Sequence, residues 1–369
     1  MMTRRSLLQA GTFSAWTLPI LTCLREDRDD PGEAVADVLS QATQTGLVSA
    51  ASLCIMRGGD RLARHFGQAP SLDSMFLLGS ISKPISVAAV MTLFDQGAFA
   101  LDDPVRIYLP EFSGGGRGRV TIRQLLTHES GLPDQLPENN TLRAEHAPIS
   151  EFVAHAMRTP LVFEPGTRYG YSSMAILLAT EIARRIQGDD FPAFLEQSVF
   201  RPLGMEHSVL GLGRFPIEAV TPCQTDRAAP ESGAGDPDAR EWDWNSPYWR
   251  GLGAPWGGVH ASAPDVALFL AEFLEERESV VRAETARAMT RNQRSDADPA
   301  RGLGFALGAN LGGLGCSEQT FGHTGSTGTL AWADPRSKTI CVILTTLPGR
   351  AVDPHPRTVA SERLAGSFP

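Results

Sequence analysis

The sequence has few cysteines and no metal-binding pattern. Its five cysteines are scattered along 369 residues, and none belongs to a C-x-x-C pair. This spacing argues against a zinc-ribbon type of site and against a disulfide framework. The eight histidines include no H-E-x-x-H motif. We therefore expect buried free thiols, no metal ion and no cofactor.

Positive charge is also in short supply. The chain carries 33 lysines and arginines against 42 aspartates and glutamates, which gives a formal net charge of −9. A protein of this sign repels nucleic-acid phosphates and anionic lipid headgroups. We expect no nucleic-acid partner and no binding to an anionic membrane surface.

No hydrophobic run in the chain is long enough for a comfortable membrane span. A mostly apolar stretch covers residues 10–23, which is short for a transmembrane helix. It follows Arg4 and Arg5, and paired arginines before leucines resemble a twin-arginine export signal. An N-terminal amphipathic helix is the alternative. Cys23 is a poor lipoprotein acceptor, since the threonine before it is larger than the residue usually found there.

We thus expect residues 1–30 to form an export signal and linker, and residues 31–369 to form one exported, periplasmic domain with no membrane span. Apolar runs at 50–57 and 61–66, joined by glycines, predict a β-hairpin, and a second pair lies at 328–332 and 339–346. Helical patterns fall mainly between these pairs, at 32–46, 85–96, 122–126, 175–186 and 263–276.

Strands at both ends with helices between them predict an α+β fold. Its central antiparallel sheet is closed by the two ends of the chain and flanked by helices. A helical subdomain is expected at about residues 98–260. The polar stretch 226–247 is long for a loop. Several tryptophans lie near its end, and they could form the wall of a cleft or simply anchor the loop.

Ser80 and Lys83 form an S-x-x-K motif at the start of a helical run. Residues three apart on a helix share one face, so the lysine amine can reach the serine hydroxyl. A helix N-terminus also favours a developing alkoxide. Nucleophilic catalysis needs such a pair. Pro84 is tolerated in the first turn of a helix, so we expect that helix to begin at Ser80.

Two further segments carry candidate site residues. Tyr171 precedes a predicted helix, with Ser173 nearby, and would project at the helix N-terminus. The segment 323–328 has small residues that would let a substrate backbone approach the start of a strand. Side-chain packing for the tyrosine and a plain glycine-rich turn are the alternatives. The sequence has no G-x-S-x-G motif, which excludes an α/β-hydrolase setting for the serine.

Together these segments resemble the serine β-lactamase and penicillin-binding protein superfamily. The resemblance is to the branch with class C β-lactamases, D-alanyl-D-alanine carboxypeptidases and related esterases. S-x-x-K, Y-x-N and K/H-T-G motifs occur there in this order at comparable separations. The flanking segments 125–132, 163–167, 202–205 and 257–262 are also similar. The resemblance spans about residues 33 to 350, and it implies a β-lactamase/transpeptidase-like fold.

The resemblance also implies roles for individual residues. Ser80 would be the acylated nucleophile, Lys83 its activating partner and Tyr171 a proton shuttle. The backbone N–H groups of Ser80 and Ser326 would form the oxyanion hole. His128 matches a family position too, and we interpret it as structural. The implied substrate-binding residues are Ser173, His323, Thr324, Gly325 and Ser326.

Two residues depart from the family motifs. Ser173 stands where the motif has asparagine, and its shorter hydroxyl weakens the expected binding of a β-lactam or peptide amide. His323 stands where β-lactamases have lysine, and with a reference pKa of about 6.5 it is mostly neutral at pH 7. Carboxypeptidases and esterases of this branch often carry histidine at this position, so His323 favours those over a β-lactamase.

The sequence therefore predicts a serine hydrolase acting through an acyl-enzyme on esters or D-amino-acid peptides. The alternatives are a class C-like β-lactamase, a penicillin-binding sensor with slow turnover, and a catalytically inactive binding module.

Overall fold

The computed structural model describes residues 30–294 and 298–368. The predicted export signal and Cys23 lie outside this part of the chain. The other four cysteines are buried free thiols, as expected. Within the described residues, no helix is long and apolar enough to cross a membrane.

The strands form two sheets. In chain order they are β1 (Ala50–Arg57), β2 (Asp60–Gly67), β3 (Phe76–Leu77), β4 (Ser208–Leu210), β5 (Val259–Ala261), β6 (Ala306–Leu307), β7 (Phe321–Thr324), β8 (Leu330–Asp334) and β9 (Thr339–Thr345). The main sheet has the order β2-β1-β9-β8-β7-β6, and a small sheet has the order β3-β5-β4. Both sheets are antiparallel throughout.

The helices cover both faces of the main sheet. In the sequence, most of them fall between β3 and β6. They are α1 (Pro31–Gln44), α2 (Ser82–Asp95), α3 (Ile122–Leu126), α4 (Asn139–Ala144), α5 (Ile149–Arg158), α6 (Ser173–Gln187), α7 (Phe191–Leu195), α8 (Arg201–Leu203), α9 (Pro247–Gly251), α10 (Ala263–Leu274), α11 (Ala283–Met289) and α12 (Pro356–Ala365).

The two ends of the chain meet in the centre of the main sheet. Strand β1 pairs with β9, so that Leu53 lies opposite Ile343. Helices α1 and α12 pack together on one face, where both of these residues are buried. Helix α10 covers the other face. Because both faces are covered, β9 is apolar and buried along its whole length. The prediction of an antiparallel sheet closed by the two ends is confirmed.

Helix α2 is the central element behind the site. It is buried nearly all round from Ser82 to Leu93 and contacts α6, as expected of a helix that is apolar on every side. The prediction that it begins at Ser80 was wrong. Gly79–Ile81 forms a separate 3₁₀ turn, and the α-helix starts at Ser82. Pro84 still falls in the first turn, where no backbone N–H is required.

Two other sequence predictions need correction. The His323-Thr324 pair ends a strand, β7, instead of beginning one. The strand expected from residue 328 starts at Leu330, because Gly328 has a φ of +102° and belongs to the preceding turn. The stretch 226–247, which is long for a loop, contains three short 3₁₀ turns.

Candidate active site

The predicted site residues meet at one cleft of about 630 Å³. It opens between the end of β7 and the helical part of the chain. Its lining includes Ser80, Tyr171, Ser173, His323, Thr324, Gly325 and Ser326. A second groove, of about 590 Å³, lies between α5, α6 and α7 and contains none of the predicted residues.

Lys83 lies beneath Ser80 and is almost completely buried, with 1% of its surface exposed. Its Nζ is 3.0 Å from Ser80 Oγ and 2.9 Å from the carbonyl oxygen of Trp256. The step from a 3₁₀ turn into α2 places both side chains on one side. Burial lowers the pKa of the Lys83 amine to about 7, against the charge of Asp134, which raises it. The amine can therefore lose its proton near neutral pH and accept one from a neighbour.

Tyr171 completes the cluster from the segment just before α6. Lys83 Nζ lies 4.8 Å from the centre of its ring. Burial raises the pKa of the Tyr171 phenol above its ordinary value, while Ser80 opposes that shift. The phenol is thus protonated at neutral pH. Ser172 caps α6 by accepting a hydrogen bond from the N–H of Ala175 at 2.9 Å, which fixes where Tyr171 leaves the backbone.

His128 packs directly against Tyr171, with 4.7 Å between ring centres. Its Nδ1 accepts a hydrogen bond from the N–H of Ser172 at 3.2 Å. Burial holds the pKa of His128 well below its usual range, so the ring is neutral and Nδ1 is free to accept. These contacts fit a residue that positions the tyrosine segment.

Ser173 is held by Asp134, a residue that belongs to none of the motifs identified in the sequence. The backbone N–H and the hydroxyl of Ser173 both donate to Asp134 Oδ1, at 2.9 Å and 2.6 Å. Asp134 is exposed in the cleft. Where the family motif has an asparagine amide, this chain therefore presents a serine hydroxyl joined to a carboxylate.

The turn after β7 is fixed against the segment that leads to Ser80. Thr327 donates to the carbonyl oxygen of Leu77 at 2.7 Å. Gly79 has a φ of +56°, and a Cβ atom there would lie 3.2 Å from the backbone nitrogen of Ser326. The backbone N–H groups of Ser80 and Ser326 therefore belong to adjacent segments, as an oxyanion hole requires.

His323 contributes no charge to the cleft. Its Nδ1 lies 2.7 Å from the carbonyl oxygen of Thr324, and its Nε2 has no partner among the described residues. Burial holds the pKa of His323 well below its usual range. The ring is therefore neutral at pH 7, as its residue type suggested.

Arg301 supplies a permanent positive charge beside that neutral histidine. It donates to the Tyr169 hydroxyl at 2.6 Å, and its guanidinium carbon is 5.6 Å from the centre of the Tyr171 ring. Its charge lowers the pKa values of Lys83 and His323. No motif contains Arg301, so sequence reasoning missed it.

The cleft is basic in an acidic protein, and tryptophans form part of its wall. The tryptophans near the end of the stretch 226–247 both form a wall of the cleft and anchor the chain. Three of them line the cleft and are also buried in the core; they are Trp244, Trp249 and Trp256. The charged residues that line the cleft are Arg143, Arg227, Arg301, Arg350, Arg357, Asp134 and Glu231. In the described ranges, no group of three potential metal ligands is placed to hold an ion.

Comparison with known proteins gives consistent matches. A family model described as Beta-lactamase matches residues 35–364. A D-alanyl-D-alanine carboxypeptidase-like protein of Escherichia coli strain K12 is 26% identical over 295 residues, covering 72% of this chain and 68% of that protein. Esterase EstB of Burkholderia gladioli is 33% identical over 157 residues, which cover 38% of this chain and 40% of the esterase.

A solved structure shares the fold. EstCE1, described as a hydrolase with promiscuous acyltransferase activity, superposes with a TM-score of 0.76 at 22% identity. The match covers 91% of this chain and 98% of that structure.

Proposed function

Because this chain belongs to the beta-lactamase family of serine hydrolases, we propose that it cleaves esters or D-amino-acid peptides through an acyl-enzyme formed on Ser80. One observation carries the proposal. The buried Lys83 amine lies 3.0 Å from Ser80 Oγ, and its pKa is lowered to about 7. A neutral amine at that distance can take the serine proton.

The acylation step follows from this geometry. Lys83 accepts the proton of Ser80 as Oγ attacks the substrate carbonyl carbon. The N–H groups of Ser80 and Ser326 stabilise the oxyanion, at about 3 kcal/mol per donor. When the intermediate collapses, Tyr171 donates its proton to the leaving group. Lys83, below its ring, returns a proton to the phenol.

Deacylation uses the same groups in reverse. A water molecule attacks the carbonyl carbon of the acyl-enzyme, and the neutral amine of Lys83 accepts its proton with Tyr171 as the relay. The oxyanion is bound as before, and the Lys83 ammonium returns the proton to Ser80 Oγ, so that Ser80 leaves as the hydroxyl. The same base thus serves both half-reactions, as microscopic reversibility requires.

The His323 departure supports esters and D-peptides over β-lactams, and the Ser173 departure supports esters over both kinds of amide. The neutral His323 and the hydroxyl of Ser173 offer less to a β-lactam carboxylate and amide than lysine and asparagine do. The relatives whose names describe an esterase and a carboxypeptidase-like protein support the same choice.

The test compares steady-state hydrolysis of a short-chain p-nitrophenyl ester with that of a chromogenic cephalosporin. Intact-mass measurement detects any covalent adduct. We expect fast ester turnover and a negligible cephalosporin rate. In Ser80→Ala, the ester turnover should be lost. A stable cephalosporin adduct without ester turnover would identify a penicillin-binding sensor instead. Unchanged hydrolysis by Ser80→Ala would refute the mechanism.

The position of Asp134 supports a second, narrower candidate for the substrate. Its carboxylate lies in the cleft, exposed, and it acts on the charge of Lys83. A substrate with an ammonium group next to the scissile carbonyl, such as a D-aminoacyl ester or amide, would place its charge near this carboxylate. Asp134→Asn should then lower kcat/KM for a D-alanyl ester more than for its N-acetyl derivative.

Export is proposed from the sequence alone. Arg4 and Arg5, followed by a short apolar stretch, support a twin-arginine signal, and a periplasmic location would follow. Replacing both arginines by lysine should leave the protein in the cytoplasmic fraction. If the unaltered chain is found there with its first residues retained, export is excluded.

A further inference from the structure

Arg143 is a buried cation, and two of its guanidinium nitrogens have no hydrogen-bond partner among the described residues. It lies on α4, its surface is 2% exposed, and it lines the cleft. Its guanidinium carbon is 3.6 Å from the centre of the Trp249 ring. Neither Nε nor Nη1 has a hydrogen-bond partner anywhere in residues 30–294 and 298–368. Buried charges in proteins are almost always paired, so this one requires an explanation.

The guanidinium keeps its charge. Burial lowers the pKa of Arg143 to about 9, while Tyr248 and Glu231 act in the opposite direction. At neutral pH the side chain is therefore protonated. Glu231 influences it through space from a neighbouring loop that also lines the cleft.

A second donor without a partner lies on the same wall. Trp249 Nε1 is buried and has no hydrogen-bond partner within the described part of the chain. Trp249 also lines the cleft. Two buried donors, one of them charged, thus lie against each other in the wall of the cleft. Both would be satisfied by an anionic acceptor.

Arg143 is not among the charges that act on the catalytic groups. The charges that act on Lys83 and Tyr171 are those of Asp134 and Arg301. Arg301 lies over Tyr171, the residue that protonates the leaving group in the proposed reaction. A leaving group protonated by Tyr171 would lie on the Arg301 side, and the tryptophan-lined wall with Arg143 is then available to the acyl chain.

We propose that Arg143 determines specificity for substrates whose acyl chain ends in a carboxylate. The carboxylate would accept hydrogen bonds from the Arg143 guanidinium and from Trp249 Nε1. The methylene chain would lie against Trp244 and Trp256. This inference rests on the proposed function, because it names the acyl group that Ser80 receives.

The experiment compares two esters with chains of equal length. Mono-p-nitrophenyl adipate carries a terminal carboxylate, and p-nitrophenyl hexanoate does not. The wild-type enzyme should have the higher kcat/KM for the adipate half-ester. In Arg143→Met, the adipate-to-hexanoate ratio should fall roughly 10- to 100-fold, the effect of losing a buried hydrogen bond to a charged group. Arg143→Lys should retain part of the preference.

Arg227→Met is the matched control. Arg227 lines the same cleft but is half-exposed and lies beside Asp226. Its removal takes away the same charge without touching the buried pair, so the ratio should change little. An equal loss in the two variants would show general attraction of anions and would overturn the proposal.

Failure of this inference can be told apart from failure of the proposed function. If hexanoate hydrolysis depends on Ser80 but the wild-type enzyme does not prefer the adipate half-ester, the Arg143 proposal is wrong and the function stands. That measurement uses the wild-type chain, so it decides the matter even if Arg143→Met does not fold. If neither ester requires Ser80, the proposed function fails first.

Discussion

At Lys83, two charges of opposite sign act on one amine. Asp134 raises its pKa and Arg301 lowers it, while burial sets the overall value near 7. The acidic limb of the pH profile for kcat/KM should therefore report this amine, with activity rising as Lys83 loses its proton.

We predict opposite shifts of that limb in two variants. Asp134→Asn removes a charge that favours the ammonium form, so the limb should move to lower pH. Arg301→Gln removes a charge that disfavours it, so the limb should move to higher pH. The measurement is kcat/KM for a neutral ester between about pH 5 and 9. Shifts in the same direction would mean that another group controls the limb.

Individual residues also show where sequence reasoning ends. The S-x-x-K, tyrosine and His-Thr-Gly segments were identifiable, because short motifs and their order can be recognised from the sequence alone. Asp134 and Arg301 were not. Asp134 reaches Ser173 across 39 positions of the chain, and Arg301 reaches Tyr169 across 132. Their roles depend on tertiary contacts for which no local pattern exists.

Among the elements, the 3₁₀ turn Gly79–Ile81 and the turn after β7 act as one unit. Hydrogen bonds from Thr327 and Thr329 to the carbonyls before Gly79 hold the two turns together. The sequence prediction placed the start of helix α2 at Ser80, two residues too early. Because Pro84 is tolerated throughout the first turn, it is compatible with several start positions for helix α2. The packing of Gly79 against Ser326 selects one of them.

Gly79→Ala should reduce turnover more than stability. Its positive φ costs an alanine about 1–2 kcal/mol, and the new Cβ would push against the Ser326 nitrogen. We expect kcat to fall tenfold or more, up to the roughly 10²–10³ seen when an oxyanion donor is lost.

Gly97→Ala is the control for this substitution. Gly97 has a φ of +75° and nothing within 4 Å of its Cβ position, so it carries a similar backbone penalty far from the site. Its unfolding free energy should fall by a similar amount with kcat unchanged. Equal kcat values for both variants would contradict the role of the Gly79 contact.

On the scale of the whole molecule, the fold was the most predictable feature. Apolar runs at both ends of the chain indicated a closed sheet, and the pairing of β1 with β9 confirms it. The predicted division into a signal segment and a single domain stays a prediction. The small sheet of β3, β5 and β4 was missed, because strands of two or three residues leave almost no period to detect.

Ile343→Ala tests how far stability and activity are separate. Ile343 is fully buried between the sheet and the α1–α12 layer, away from the cleft. We expect a loss of about 2–5 kcal/mol in unfolding free energy, with kcat and KM nearly unchanged at low temperature. Ile107→Ala, at a position 57% exposed, should change stability by less than about 0.5 kcal/mol.

The pairing of β1 with β9 also sets the order in which the protein can form during synthesis. Strand β1 leaves the ribosome early, but its neighbour β9 and helix α12, which packs on β9, are made much later. The His323 segment likewise follows most of the chain. Until then the growing polypeptide has an open sheet edge and half a cleft, and contacts so distant in sequence form slowly. A ribosome that stops before β9 therefore releases a chain with neither a closed sheet nor an assembled acylation site.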